Sequence, residues 1–324
     1  LDVVAQSLEE KGYEIVPFHE EADIYIVNTC TVTNIADRKS RQMLHRAKAK
    51  NPNAVVVAVG CYVQTGLSDV VMDDAIDLAI GNNRKKDVVE ILETFLAQRE
   101  AEKKISLCQQ TELSMEGEGS LKTLNDTSVI DINHTSEYEE MTLEHTAEHT
   151  RAYIKIQEGC NRFCSYCVIP YARGKVRSRS FDDIIDEAKK LIEAGYKEIV
   201  LTGINTALYD MESAGMQRSD GSAEELYGVE KVIAALDALD GDFRIRLSSL
   251  EPAVVNAGYV KRLLRYDKLC HHLHLSAQSG SSKVLKAMNR PYDRDEYLKI
   301  VKVLREHDPY YGISTDIIVG FPGE

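Results

Sequence analysis

Short runs of β-branched and aliphatic residues alternate with helix-like segments along most of this 324-residue chain. The clearest run is AVVVAV at residues 54–59, which carries apolar side chains on both faces of a strand. Such a strand is typical of a parallel sheet that helices cover on both sides. Regular alternation of strands and helices also predicts parallel sheets, since parallel neighbours need a crossover connection. We therefore expect an α/β fold.

The alternation occurs in two stretches, at residues 1–98 and 150–324. In the first, we expect strands at 13–16, 23–28 and 54–59, and helices at 1–12, 34–50 and 87–98. This pattern predicts a flavodoxin-like parallel-sheet domain. Because the chain opens inside a helix, we expect its first strand and the following loop to be missing.

The second stretch predicts a partial (β/α) barrel, because five strands with intervening helices fall within roughly 170 residues. We expect strands at 152–157, 198–202, 244–248, 272–276 and 314–319, and helices at 182–194, 223–239, 253–266, 281–288 and 294–307. The chain ends just after a strand, so we expect the barrel to be truncated at its C-terminal end.

An acidic linker is expected between the two domains, at residues 99–149. From 105 to 150 the chain holds ten acidic residues and one lysine, so 1 − 10 = −9 of its net charge of −13 lies there. The overall charge argues against a uniformly basic nucleic-acid binder. The remaining −4 still allows a local basic surface.

Composition also limits the compartment and the partners. No apolar run approaches the roughly 20 residues that a membrane helix needs, and no secretory leader opens the chain. We therefore expect a cytoplasmic protein without a membrane partner. Seven cysteines, an odd number, do not suggest a disulfide framework in a chain of this length.

Three of those cysteines form the strongest motif, GCNRFCSYC at residues 159–167. Cys160, Cys164 and Cys167 lie within eight residues, directly after the first predicted barrel strand. Three thiolates in one loop can each bind a different iron of a 4Fe–4S cluster, which leaves the fourth iron open for chemistry. A zinc site, which normally needs a fourth ligand nearby, and a chance grouping remain the alternatives.

The cysteine spacing and the surrounding sequence resemble the radical S-adenosylmethionine (SAM) methylthiotransferases. The stretches that carry the resemblance are YIKIQEGCNRFCSYCVIPYARGKVRSR at 153–179, VNTCTVTNIADRKSRQ at 27–42, VGCYVQTG at 59–66, LTGINTALYD at 201–210, RIRLSSLEP at 244–252, HLHLSAQSGSSKVLKAMNR at 272–290 and TDIIVGFPGE at 315–324. The sequences of these motifs are most similar to those of the branch that acts on N6-threonylcarbamoyladenosine in tRNA.

The resemblance implies two 4Fe–4S clusters and SAM as cofactors. Cys160, Cys164 and Cys167 would bind the first cluster, which cleaves SAM to a radical that removes hydrogen from carbon 2 of the modified adenosine. Cys30 and Cys61, each following a predicted strand, would help bind a second cluster that supplies sulfur. Without the resemblance, these two residues read as buried core cysteines.

Further residues are expected to contact SAM or RNA. The expected SAM contacts are Tyr166, Gly203, Asn205, Ser248, Glu251 and Gln278, for which turn, cap or buried-network roles are the alternative. Arg173, Lys175, Arg177 and Arg179 form a basic run that is expected to contact tRNA phosphates, unless it is a solvated face. The expected partners are tRNA and an electron donor such as flavodoxin or ferredoxin, and the oligomeric state is left open.

Two other functions remain open from the sequence. One is methylthiolation of an aspartate in a ribosomal protein, the activity of a sister branch, which needs no tRNA contact. The other is a non-enzymatic iron–sulfur scaffold.

Overall fold

The computed structural model describes residues 2–109, 127–135, 137–140, 150–211 and 226–324. The chain divides into two compact units, Leu1–Ile132 and Asn133–Glu324. No helix in the described part is both long and apolar enough to cross a bilayer.

The N-terminal unit contains a four-stranded parallel sheet in the order β1-β2-β3-β4. Its strands are β1 (Ile24–Thr29), β2 (Val55–Gly60), β3 (Leu78–Ile80) and β4 (Thr127–Ser128). Its helices are α1 (Asp2–Glu10), α2 (Asn34–Lys50), α3 (Cys61–Thr65), α4 (Leu67–Val71) and α5 (Val88–Gln109). The predicted parallel α/β sheet is confirmed.

Local sequence explains the limits of these elements. All six residues of β2 are buried, as expected for an inner parallel strand. Helix α2 begins after Thr33, whose side chain accepts a hydrogen bond from the Ala36 backbone N–H. It ends at Lys50, and the C-cap residue Asn51 is extended, as the following Pro52 favours.

Strand β3 and the short helices α3 and α4 were not predicted from the sequence. Two further details of this unit also differ from the prediction. Residues 13–16 form no strand; together with β1 they line an apolar cavity of about 560 Å³. Helix α5 continues through 99–109, and β4 pairs with β3, so parts of the predicted linker belong to this unit. The linker prediction for 110–126 and 141–149 lies outside the described residues.

The C-terminal unit contains a four-stranded and a three-stranded sheet, both mainly parallel, as expected for a partial barrel. One part has the order β6-β5-β7-β8 and the other β9-β10-β11. Its strands are β5 (Ala152–Glu158), β6 (Arg177–Ser178), β7 (Glu198–Gly203), β8 (Arg244–Leu247), β9 (Ser249–Leu250), β10 (His272–Leu275) and β11 (Gly312–Ser314). Only Ser248 separates β8 from β9, so the two sheet parts share one extended segment.

The helices of this unit are α6 (Ile169–Arg173), α7 (Phe181–Glu193), α8 (Val229–Asp237), α9 (Ala257–Leu263), α10 (Ser282–Ala287) and α11 (Arg294–His307). Helices α7, α8, α9 and α11 supply residues to the apolar core and cover one face of the sheet. Strand alternation explains the packing. In β10, for example, Leu273 and Leu275 are buried in the apolar core, whereas His272 and His274 lie on the opposite face.

The basic run at 173–179 is largely taken up by ion pairs within the chain. Arg173 Nη1 lies 2.6 Å from Glu158 Oε1, and Arg177 Nη2 lies 3.7 Å from Glu158 Oε2. Arg179 is buried and pairs with Glu187 and Glu140. This differs from the expected phosphate-binding surface, because a buried guanidinium engaged with carboxylates is not presented to RNA.

Glu158 is the centre of this ion-pair network. Burial alone would raise the pKa of Glu158, but the cations Lys155, Arg173 and Arg177 outweigh it and hold the pKa at about 2. Its folded-state pKa thus lies below the roughly 4.3 of an unfolded glutamate. Its stabilising contribution is therefore complete above pH 4.3 and is lost as the pH falls toward 2.

We expect Glu158→Gln to lower the free energy of unfolding at pH 7 by about 3–5 kcal/mol, since it leaves buried cations without their carboxylate. Urea unfolding followed by circular dichroism from pH 2 to pH 7 measures this. The variant should also lose part of the parent's drop in stability between pH 4.3 and 2. Glu193→Gln, at an exposed position on α7, is the control. If the free energy of unfolding of Glu158→Gln fell as steeply between pH 4.3 and 2 as that of the parent, Glu158 would not be the source of this pH dependence.

Candidate functional site

The three-cysteine loop leaves the carboxyl end of β5, where a barrel of this type places its active site. Its first residue, Gly159, has φ +74°, and a Cβ there would lie 1.8 Å from the Lys175 carbonyl oxygen. Only glycine fits this close approach. The Cys160 backbone N–H donates to the Gly174 carbonyl over 3.0 Å. The loop therefore starts against the chain that returns after α6.

Within the loop, Cys164 is buried, and Cys160 and Cys167 are half-buried. The Cys167 N–H donates to the Cys164 carbonyl over 2.9 Å, which closes a turn. Burial raises the pKa of Cys160 to about 11 and also raises that of Cys167. Both thiols must therefore release a proton when they bind iron.

Gln157, the last inward residue before the loop, connects two strand ends. Its side-chain N–H groups donate to the carbonyls of Glu158 and Gly159, both over 2.8 Å. Its side-chain oxygen accepts from the Asn205 backbone N–H over 2.8 Å. One buried amide thus fixes the start of the cysteine loop against the loop that follows β7.

A polar group lies beside this connection. Asn205 Nδ2 donates to Glu251 Oε2 over 2.9 Å, and Arg162 Nε donates to the same oxygen over 2.5 Å. Arg162 stands between the first two loop cysteines, so Glu251 joins the cysteine loop to the ends of β7 and β9. Of the expected SAM contacts, the structure brings Asn205 and Glu251 together.

Three buried oxygen atoms near these strand ends have no hydrogen-bond partner within the described chain: Asn205 Oδ1, Glu251 Oε1 and Ser248 Oγ. Buried polar atoms are normally satisfied, so an unsatisfied group of them at a strand edge fits a bound polar ligand. SAM offers ammonium, hydroxyl and adenine N–H donors to such acceptors. The residues present therefore fit SAM, and the three thiols fit a 4Fe–4S cluster.

A single metal ion fits this loop less well. Among the described residues, no three His, Cys, Asp or Glu side chains are grouped so as to hold one ion. Because Zn–S bonds are about 2.3 Å long, one zinc ion would draw three thiolates close together. Three separate irons of a cube require a wider spacing.

The remaining expected SAM contacts occupy the same edge of the sheet. A Cβ on Gly203 would lie 2.9 Å from the Gln157 carbonyl oxygen, so glycine permits close strand pairing here. Tyr166 is 38% exposed on the loop. Gln278 has φ +63° and lies between β10 and β11, where its N–H donates to the Asp316 carbonyl. Within the described part of the chain, no hydrogen bond joins Gln278 to the Asn205–Glu251 pair.

In the N-terminal unit, Cys30 and Cys61 follow two neighbouring parallel strands. Thr29 is paired with Gly60, so the two cysteines leave adjacent strand ends. The Cys30 N–H donates to Ser40 Oγ over 3.0 Å, and Asn82 Nδ2 donates to Cys61 Sγ over 3.5 Å. Adjacent strand ends are a suitable place for two thiolates that bind a shared group.

Sequence reasoning missed Gln157, Arg162 and Asn289 as site residues. Asn289 Nδ2 donates to the Phe163 carbonyl over 3.0 Å, and Ser165 Oγ donates to the Ala287 carbonyl over 3.1 Å. A charged residue inside a cysteine loop was a usable signal for Arg162. Nothing in the spacing indicated that residues 287–292 pack against a loop more than 120 positions away.

Comparisons with known proteins agree with this geometry. A family model described as the radical SAM superfamily matches residues 154–324, and one described as uncharacterized protein family UPF0004 matches residues 1–81. The radical SAM methyltransferase TsrM from Kitasatospora setae, solved with cobalamin and a [4Fe-4S] cluster bound, superposes with a TM-score of 0.59 at 13% identity. The match covers 98% of this chain and 65% of that one, and it shows the fold alone.

Curated relatives are closer in sequence. Threonylcarbamoyladenosine tRNA methylthiotransferase MtaB from Aquifex aeolicus is 37% identical, over 100% of this chain and 70% of its own length. A tRNA-2-methylthio-N(6)-dimethylallyladenosine synthase from Clostridium botulinum is 34% identical, over 98% of this chain and 64% of its own length. The chain thus spans about two thirds of the length of these relatives. It belongs to the radical SAM methylthiotransferase family.

Proposed function

We propose that this chain carries the catalytic core of a tRNA methylthiotransferase that adds a methylthio group to carbon 2 of N6-threonylcarbamoyladenosine next to the anticodon. The observation that carries the proposal is the cysteine loop fixed beside unsatisfied buried acceptors at the carboxyl edge of a partial barrel. The full-length relatives named for this activity support the choice of reaction.

Cys160, Cys164 and Cys167 are proposed to hold a 4Fe–4S cluster whose fourth iron takes SAM. Such a cluster, once reduced, would supply the electron for reductive cleavage of SAM, which yields a radical able to abstract hydrogen. The chain contributes orientation: Gln157 fixes the loop start, and Arg162 and Asn205 hold one oxygen of Glu251. The other Glu251 oxygen is left to accept from the ribose or ammonium group of SAM.

Cys30 and Cys61 are proposed to bind a second 4Fe–4S cluster that provides the sulfur. Their place at adjacent strand ends supports this role. An electron donor such as flavodoxin or ferredoxin is proposed to reduce the first cluster.

RNA contact from the basic run is proposed for Lys175 alone. It is exposed, whereas Arg173, Arg177 and Arg179 pair with carboxylates of the chain. Lysine is a common contact to phosphate, which positions RNA without reading its sequence.

Loss of one cluster ligand should abolish SAM cleavage. After anaerobic reconstitution with iron and sulfide and reduction with dithionite, the chain should convert SAM to 5′-deoxyadenosine, and Cys164→Ala should not. Cys270→Ala removes a cysteine outside the loop and should retain the activity. Product is measured by chromatography and mass spectrometry. Persistent 5′-deoxyadenosine in Cys164→Ala would exclude the radical assignment.

Glu251→Gln should weaken SAM binding by about 10-fold or more, because a hydrogen bond to a charged group is worth roughly 1.5–3 kcal/mol. Equilibrium dialysis with labelled SAM under anaerobic conditions measures the affinity. Asp267→Asn, at an exposed position, is the control. Unchanged affinity in Glu251→Gln, with a normal iron content, would remove Glu251 from the SAM site.

The substrate is tested with the full-length protein. We expect methylthiolation of an anticodon stem-loop that carries threonylcarbamoyladenosine, and little reaction with the dimethylallyladenosine form or with the ribosomal-protein substrate of the sister branch. Nucleoside mass spectrometry and peptide mass spectrometry identify the products. Preference for the dimethylallyl form would assign the chain to the other tRNA substrate, for which a 34% identical relative is named.

A further inference from the structure

The connection between α10 and α11 holds the cysteine loop from one side. Asn289 donates to the Phe163 carbonyl, and Ser165 is bound through its N–H to the Met288 carbonyl over 3.1 Å and through its hydroxyl to Ala287. These contacts bring the next residue, Arg290, to the buried cysteine of the loop.

All three guanidinium nitrogens of Arg290 have an acceptor. Nε donates to Tyr292 Oη over 3.1 Å, and Nη2 donates to the Ser276 carbonyl over 3.4 Å. Nη1 donates to Cys164 Sγ over 3.2 Å. Tyr292 is itself held, since its hydroxyl donates to the Ser276 carbonyl over 2.5 Å. The two oxygen contacts therefore orient the guanidinium so that one N–H points at the sulfur.

The charge of Arg290 is directed at the cysteine rather than at a carboxylate. Within the described chain, no aspartate or glutamate oxygen lies within 4.0 Å of its guanidinium, whereas Arg162 is paired with Glu251. The side chain is half-buried, so solvent screens this charge only in part. A thiolate at Cys164 would be its nearest anionic partner.

We propose that Arg290 is a positioning residue that raises the reduction potential of the proposed cluster through a charge-assisted N–H···S bond to Cys164. Reduction adds one electron to the cluster and increases the negative charge on its sulfur ligands. A fixed cation at one sulfur stabilises the reduced form more than the oxidised form. The proposal rests on the cluster assignment of the cysteine loop, but not on the identity of the RNA substrate.

The test is a redox titration of the reconstituted chain without SAM, with dithionite as the source of the electron and the reduced cluster measured by electron paramagnetic resonance. Arg290→Gln removes the charge, and Arg290→Lys keeps it on a shorter, differently shaped side chain. Lys286→Gln removes a charge from an exposed position on the same segment, away from the sulfur, and is the matched control.

We expect the midpoint potential of Arg290→Gln to be lower than that of the parent. At the parent's midpoint, its ratio of reduced to oxidised cluster should fall several-fold. Arg290→Lys should lie between the two, and Lys286→Gln should match the parent. Should Arg290→Gln fail to hold iron, the potential of Arg290→Lys decides: a lowered value supports the proposal, and the parent's value overturns it.

An unchanged potential in an iron-loaded Arg290→Gln would overturn the proposal, even if SAM affinity fell, because the residue would then act on SAM and not on the cluster. The full-length protein could fail to methylthiolate the tRNA stem-loop while Arg290→Gln still lowers the midpoint potential of the cluster. That result would contradict the proposed RNA substrate and leave the proposed role of Arg290 intact. A parent chain that binds no iron would instead remove the cluster assignment itself.

Discussion

A buried carboxylate with three cations around it fixes the position of the chain where the cysteine loop begins. Glu158 ends β5 immediately before Gly159, and it binds Lys155 on its own strand and Arg173 and Arg177 on the returning chain. Desolvation of so many charges is tolerable only because each faces an opposite charge at close range. These ion pairs thus link the end of β5, where the cysteine segment begins, to the chain where that segment returns.

The polar site follows from where parallel strands end. Helices bury the apolar face of the C-terminal sheet, so polar side chains collect on the other face and in the loops at the carboxyl edge. Gln157, Asn205 and Glu251 come from different strand ends, yet they form one hydrogen-bonded group. Its oxygen atoms without a partner suit a ligand with several hydrogen-bond donors, and SAM has such donors.

Charge has different roles at different depths in this unit. The arginines at 177 and 179 are buried and stabilise the fold, whereas Lys175, two positions before Arg177, remains at the surface. Arg290 directs its charge at a sulfur atom. A basic run in the sequence therefore does not by itself define a nucleic-acid surface, because pairing with distant carboxylates decides which of its side chains are buried.

The sequence alone determined the α/β class, strands β1 and β2, the longer strands of the C-terminal unit, most helices and the cysteine loop, but not β3, β4, α3 or α4. These depend on local periodicity, on helix stop signals and on spacing within nine residues, all of which are written in consecutive positions. Tertiary structure decided that the arginines of the basic run are paired with carboxylates, that α5 extends further, and that residues 13–16 form no strand. It also decided the contacts of Gln157, Arg162 and Arg290. Those outcomes depend on which distant segments meet: Arg290 reaches Cys164 across 126 positions, and no local pattern encodes such a pairing.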